Sequence, residues 1–489
     1  MLMYRSFTFK RLLLLFLYVF AILFFISPDS YTHEIYGRTD SAYFYMSGKA
    51  MMNGMTPYVD FSDSKGLLLW LIYGAGYLLS PTNYYGVFWI SVLLWILIFY
   101  YCYKILTLYF DEEKAVKGAF LMAIPFFIYL FYYETRAECF CTLPVIHGIY
   151  TTQLFIKDKE DSKFLKNIFL LGVGTVSCFM MKWSISLMML SFIFSVLLFC
   201  RQWDRRAKIF GFYICGAILF MLPFIFYFVY VGNLVDFLVE YIFVTGKTVS
   251  AGNSTFVADY VSKCVELFTT RRGIYLIYIA ATVYLFVKNK DKKYAVNIIS
   301  SVAFVFMSII HDLGYYLYIA SSFGIFLLVV IMTVANKIFM QKLVFVSSVC
   351  LSFFVCLGGH IRRLQLMGYK NWRLVYNDEN VKMSYENADR VMSEVKNPKV
   401  LCLNCGEKGI GMGNNTLPAC KYWAYQVGMT DEMQKNAIDC VKERKADYVI
   451  CFADSESDKN FLHENGYEFV AKLIDCTNVR NIYKRRIVE

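Results

Sequence analysis

Gly66-Leu67-Leu68-Leu69-Trp70-Leu71-Ile72-Tyr73-Gly74-Ala75-Gly76-Tyr77-Leu78-Leu79-Ser80 is an uncharged, largely apolar run of 15 residues. A spanning helix needs roughly 17–25 mostly apolar residues, so this run is short for a crossing. Whether it crosses fixes the side of every later loop. Put the N-terminus inside, with Arg5, Lys10 and Arg11, and lay 66–80 on the outer surface. The basic clusters between helices then all fall inside. They are Lys104, Lys114 and Lys117; Lys157, Lys159, Lys163 and Lys166; Arg201, Arg205, Arg206 and Lys208; Lys288, Lys290, Lys292 and Lys293; and Lys337 with Lys342. A crossing at 66–80 would put every one outside, against the positive-inside bias. The run therefore reads as an interfacial helix.

Composition agrees. Of 489 residues, 58% are hydrophobic, 19% aromatic and only 18% charged. Soluble proteins average about 45–50% apolar and about 25% charged. Here the apolar residues come in long blocks, which excludes a soluble globular enzyme and a disordered chain. Spanning helices are expected over 11–27, 86–109, 118–132, 139–156, 167–183, 184–200, 209–231, 273–287, 294–310, 315–335 and 342–358, about eleven in all. Ser27-Pro28-Asp29 is no small-residue cleavage site, so the first block reads as a retained helix. The net charge of +11 reflects topology, and no clustered basic face points to nucleic acid. The expected location is the plasma (inner) membrane, multi-pass, with a cytoplasmic N-terminus.

Residues 1–358 are expected to form the membrane part. Its long outer loops are 28–85 and 232–272. Composition turns soluble at His360-Ile361-Arg362-Arg363, and 359–489 reads as an extracytoplasmic domain. Helices are expected over 379–396 and near 430–443. Strand-like runs cover Lys399–Leu403, Asp447–Phe452, Tyr467–Ile474 and Asn481–Lys484. This mixture predicts a small α/β domain. Among the 15 Cys, those in apolar blocks (Cys102, Cys178, Cys200, Cys215, Cys350, Cys356) read as small buried hydrophobes. Cys402-x-x-Cys405 has no second paired spacing to make a zinc site, and a disulfide is the alternative outside the cell.

Three carboxylates and a lysine stand in the first outer loop: Asp40, Asp60, Asp63 and Lys65. Residues 41–53 read as an amphipathic helix. With 66–80 they would hold Asp40, Asp63 and Lys65 at headgroup depth. A carboxylate there can act as general base toward a hydroxyl, and a lysine can hold a lipid phosphate as a point charge. The bland alternative is a set of solvated loop charges. The next outer turn, Tyr132-Tyr133-Glu134-Thr135-Arg136-Ala137-Glu138-Cys139, sets two acids and an arginine between two spans. Charges at that depth are expensive and tend to be functional; otherwise an Arg–Glu pair simply ends the helices. Lys182 follows Gly172-Val173-Gly174 at an outer helix end, against the charge bias. It either snorkels or binds phosphate. His311-Asp312 is a helix-end contact or an aid to phosphate or acceptor. Arg271 and Arg272 are interfacial anchors or phosphate ligands.

The run Asp40-Ser41 … Gly54-x-x-Pro57-Tyr58-x-Asp60-Phe61-x-Asp63-x-Lys65-Gly66 resembles the first-loop signature of bacterial integral-membrane glycosyltransferases of the GT-C superfamily. That group includes relatives of protein O-mannosyltransferases and of the lipid A aminoarabinose transferase. Ser64 stands where the relatives carry His, and Leu67 where they carry Pro. Glu138 resembles the family's second acid, with Glu134 as fallback, and Gly172–Lys182 resembles its Gly-rich span ending in Lys. The resemblance implies a polytopic α-helical fold with outer interfacial helices and a small soluble domain after the last span. It also implies an activity, in which a sugar moves from a polyprenyl-phosphate donor to an acceptor hydroxyl on the outer face, with inversion. Asp40 would be the base and Glu138 the second catalytic acid. Lys65, Lys182 and Arg136 would bind the donor phosphate. Asp60, Asp63, Glu134 and His311 are further candidates. Some relatives use a divalent ion, so Mg2+ or Mn2+ on Asp40 and Glu138 stays open; no other cofactor is expected. The partners would be the donor, membrane lipid, and a glycan, lipid or protein acceptor. Alternatives are a flippase of a lipid-linked sugar, which needs broken helices in matching halves, and a polysaccharide polymerase or ligase acting through a large basic outer loop.

Overall fold

The structure, a computed structural model, describes residues 9–27, 29–30, 39–127, 135–159, 161–244, 262, 265, 273–311, 317–334, 379–406, 409–425, 429–474 and 479–487. The helices run α1 Phe9–Ile26, α2 Thr39–Met52, α3 Leu67–Leu79, α4 Tyr85–Leu106, α5 Glu112–Leu121, α6 Ala123–Phe127 and α7 Ala137–Ile156. There follow α8 Asp161–Phe179, α9 Trp183–Phe199, α10 Trp203–Val231 and α11 Leu234–Phe237, which continues into a π-helical turn, Leu238–Val244. Then come α12 Ile274–Asn289, α13 Ala295–His311, α14 Leu317–Ala320, a 3-10 turn Ser321–Phe323, and α15 Gly324–Val334.

Among the described residues, α4, α7 and α10 are long and apolar enough to cross a membrane, and five shorter apolar helices accompany them. Their length and composition fit the multi-pass membrane protein expected from the sequence. α10 turns Phe210, Phe212, Ile218, Leu219, Phe226 and Val229 outward, a surface that suits lipid and not water. α7 is buried along nearly its whole length and forms the centre of the bundle. Its 20 residues span roughly 30 Å, the thickness of a bilayer's hydrocarbon core. α8 and α10 touch backbone to backbone. A Cβ on Gly172 would collide with the carbonyl oxygen of Tyr213, and one on Gly216 with that of Phe169. Small residues at such crossings let helices approach where lipid supplies no hydrophobic drive.

The short apolar run is α3. Its 13 residues reach only about 20 Å, less than a bilayer core. Leu67, Leu69, Trp70 and Tyr73 are buried while Leu78 and Leu79 are exposed. The expected amphipathic stretch 41–53 begins earlier, at Thr39, and is not amphipathic in burial: every residue from Ser41 to Ala50 is buried. The reason is tertiary. α3 packs along α2, and the C-terminal segment 411–423 covers another side. The span expected over 118–132 also differs. Asp111 accepts the Lys114 N–H at 3.0 Å and so starts α5 at Glu112. The helix breaks at Met122, and α6 then carries Pro125 in its first turn, where a missing N–H costs little. The span expected over 342–358 and most of the loop 232–272 lie outside the described residues.

The C-terminal part holds α16 Glu379–Met392, β1 Lys399–Cys402, β2 Leu417–Pro418, α17 Asp431–Lys442, β3 Tyr448–Phe452, α18 Glu456–Glu464, β4 Tyr467–Ile474 and β5 Val479–Arg485. The sheet order is β2-β1-β3-β5-β4. β1 is parallel to both β2 and β3, whereas β5 is antiparallel to β3 and β4. Two elements escape a sequence reading. β2 is two residues long, and α18 is polar, marked only by its cap Ser455.

Candidate active site

Asp40 lies in the first turn of α2. The backbone around it is fixed through Thr135. Ser41 Oγ donates to the Thr135 carbonyl at 3.1 Å. The Tyr73 hydroxyl donates to the same carbonyl, and Thr135 Oγ1 donates to the carboxylate of Asp29. One residue of the turn before α7 thus ties together the end of α1, the start of α2 and the middle of α3.

Two ion pairs follow from this placement. Arg136 Nη1 lies 3.3 Å from Asp40 Oδ2, and Lys182 Nζ pairs with Glu138 Oε1. They differ in exposure: the Asp40 side chain is 44% exposed, the Glu138 side chain 5%. Asp40 stands at a helix N-terminus beside a guanidinium, a setting that suits an anion, and its carboxylate is open to solvent. Glu138 is enclosed against its lysine.

Lys65 is carried to the same place by main chain. Gly66 N–H donates to the Met181 carbonyl at 3.2 Å and Leu68 N–H to that of Met180 at 2.9 Å. The residue after Lys65 is therefore bonded to the residue before Lys182. Gly66 is required there, because a Cβ would overlap the backbone of Met180. Lys65 Nζ pairs with no carboxylate among the described residues; it donates to Ser64 Oγ at 2.8 Å and lies 5.6 Å from the Phe44 ring centroid. Asp63 Oδ1 accepts the Ser64 N–H and hydroxyl and faces no cation among the described residues. Asp60 has a different task. Its Oδ2 accepts the Thr56 N–H at 2.7 Å and closes the turn in which Tyr58 takes φ 65°. That conformation is rare for a bulky residue, and the rings of Trp70, Phe228, Phe237 and Tyr241 enclose it.

Asp40, Arg136, Glu138, Lys182 and Lys65 are thus brought to one end of the bundle, with Asp63 on the adjoining turn. Glu134 lies outside the described residues. His311 ends α13, and its side chain lies outside them too, as do Asp312, Arg271 and Arg272. The divalent ion left open on Asp40 and Glu138 meets a poor donor set. Each carboxylate faces a basic side chain, and no group of three or more His, Cys, Asp or Glu converges among the described residues. These residues do not fit a resident Mg2+ or Mn2+.

Several residues were not singled out from the sequence. Asp29 and Thr135 are buried beside the site. Glu240, in the π-helical turn, accepts from Ser62 Oγ at 3.2 Å and from the Tyr422 hydroxyl at 2.7 Å, and pairs with Lys421 at 2.8 Å. The available signal was a single acid inside the apolar run Leu238–Val244.

The family model described as dolichyl-phosphate-mannose-protein mannosyltransferase matches residues 65–229, from Lys65 into the last turn of α10. The fold is similar to that of ArnT from Cupriavidus metallidurans bound to undecaprenyl phosphate, with TM-score 0.67 at 13% identity over 97% of this chain and 98% of that one. Against the apo state of the same protein the TM-score is 0.60 at 13% identity, over 96% and 97%. No curated protein matches the chain in sequence. The family model, over about a third of the chain, and the fold are thus similar to those of GT-C-type integral-membrane glycosyltransferases, the class the first-loop residues resemble.

Proposed function

We propose that the protein transfers a sugar from a polyprenyl-phosphate-linked donor to an acceptor hydroxyl at the outer face of the membrane, with Asp40 as general base. The observation that carries this reading is the half-exposed Asp40 carboxylate at the bundle end that also gathers Lys65 and Lys182. ArnT, similar in fold, binds undecaprenyl phosphate, a donor's leaving group. In the proposed step Asp40 takes the acceptor's O–H proton as that oxygen attacks the anomeric carbon from the face opposite the phosphate. The bond between that carbon and the phosphate oxygen breaks, the lipid phosphate leaves with the electron pair, and the anomeric configuration inverts. Lys65, lacking a carboxylate partner among the described residues, is the cation we assign to the leaving phosphate. Lys182 and Arg136 add positive charge, and Glu138 holds Lys182 in place. No step passes through a metal.

The orientation follows from the same reading. Residues 28–85 and the C-terminal sheet lie outside, and the N-terminus lies inside. In support, Ser62 N–H donates to the Lys421 carbonyl at 2.9 Å, so first loop and tail share a side. The basic residue Lys157 caps the opposite end of α7 and donates to Tyr294 at 3.0 Å.

The test is transfer from a panel of polyprenyl-phosphate sugars in liposomes, comparing wild type with Asp40→Asn. Loss of a base costs about 100-fold or more in rate. Full transfer by a folded Asp40→Asn protein would sink the assignment and move attention to Asp63.

A further inference from the structure

We infer that Glu240 is a positioning residue that locks the first loop and the C-terminal segment 421–423 into one site. This deepens the glycosyl-transfer reading and rests on it for its activity arm. The Glu240 carboxylate is buried and takes partners from two distant parts of the chain. Ser62 Oγ reaches it from the first loop, one residue before Asp63 and three before Lys65. Lys421 and Tyr422 reach it from the tail. The two partners also join each other, through Ser62 N–H and the Lys421 carbonyl. Burial and the adjacent carboxylate both push the Tyr422 phenol up, so it remains a donor at every physiological pH.

The neighbouring residue extends the lock. The Tyr241 hydroxyl donates to the Phe179 carbonyl, at the end of α8 and three residues before Lys182. One π-helical turn thereby braces both the Lys65 loop and the Lys182 segment. π turns are rare and recur at functional sites. Two further contacts join the tail to α2. Trp423 stacks on Tyr43 at 4.9 Å between ring centroids. Lys49 Nζ donates to the carbonyls of Gly411 at 2.8 Å and Asn414 at 2.5 Å. The tail thus helps to hold the helix that carries Asp40 and the turn that carries Lys65.

The experiment combines amide hydrogen exchange with transfer kinetics in the full-length, liposome-embedded protein, for Glu240→Ala, Glu240→Gln and Lys421→Met. With Glu240→Ala, exchange over 57–66 should quicken about ten-fold, and kcat should fall about ten- to a hundred-fold while exchange in the strands β3 and β5 stays at its wild-type rate. Glu240→Gln still accepts from Ser62 and Tyr422 and should recover most of both losses. Wild-type exchange over 57–66 in Glu240→Ala, or unchanged kcat in a protein whose loop has loosened, would overturn the inference. If Glu240→Ala does not fold, Lys421→Met, which cuts only the tail's ion pair, must show the same paired changes or the inference fails. Asp40→Asn separates the two claims, since it should lose transfer while keeping wild-type exchange. A wild type inactive with every donor would count against the proposed function alone, and exchange would still decide the lock.

Discussion

Glu138 and Lys182 show how a charge pair behaves when one partner is enclosed. The Glu138 side chain is 5% exposed and the Lys182 side chain 21%. Removing one member of such a pair strands the other in a poorly solvated place, at about 3–5 kcal/mol, whereas removing both costs less. Glu138→Gln and Lys182→Met should each lower the melting temperature in detergent, and the double variant should melt above the lower single. Additive losses would show that the two groups do not depend on each other. Lys65 predicts the reverse pattern. It holds no ion pair among the described residues, so Lys65→Met should leave melting nearly unchanged while, on the proposed function, weakening binding of a polyprenyl phosphate about ten-fold or more. Unaltered binding would remove Lys65 from the phosphate site.

At the scale of elements, the α8–α10 crossing is the sharpest test of packing. Gly172 has no room for a side chain, whereas Gly211, on the same α10, has nothing within 4 Å of where its Cβ would stand. Gly172→Leu should force the helices apart and cost about 1–3 kcal/mol or more, read as a lower melting temperature. Gly211→Leu should be close to neutral. Equal effects of the two would mean that the crossing is not tight. The same element also explains why a basic first turn, Asp204-Arg205-Arg206, is compatible with a 29-residue helix. Its length of roughly 43 Å exceeds a hydrocarbon core, so the charged turn clears the bilayer.

For the whole molecule, the contact between tail and α2 contains a group that titrates near neutrality. Asp389 lies against Gly413 and accepts from Asn414 Nδ2 at 2.6 Å. Burial pushes its carboxyl up to about 6, against the opposing pull of Asn414 and Lys49. An unfolded Asp titrates near 3.9. The folded state therefore binds the proton more tightly, and this contribution to stability is present below about pH 4 and lost as pH rises through about 6. For a half-buried group the span is ~2 kcal/mol at most. Asp389→Asn should thus gain on wild type as pH rises from 4.5 to 7.5, measured as the difference in melting temperature. A difference that does not vary with pH would show that Asp389 is not strained by burial.

Hydropathy alone determined the membrane class, because apolar blocks cannot be buried any other way. Local spacing placed most helices to within a few residues, and the length of 66–80 was enough to mark α3 as too short to span. The residues Asp40, Lys65, Arg136, Glu138 and Lys182 were legible as candidates because charge at membrane depth is costly and needs a reason. Their pairing was not legible. Arg136 could have faced either acid, and only the fold assigns it to Asp40 and leaves Glu138 to Lys182. The burial of α2 from Ser41 to Ala50 was equally hidden, since it depends on α3 and on a segment more than 350 residues later. Glu240 was invisible as a joint for the same reason. A carboxylate's neighbours across the chain are set by packing, which no local pattern of residues records.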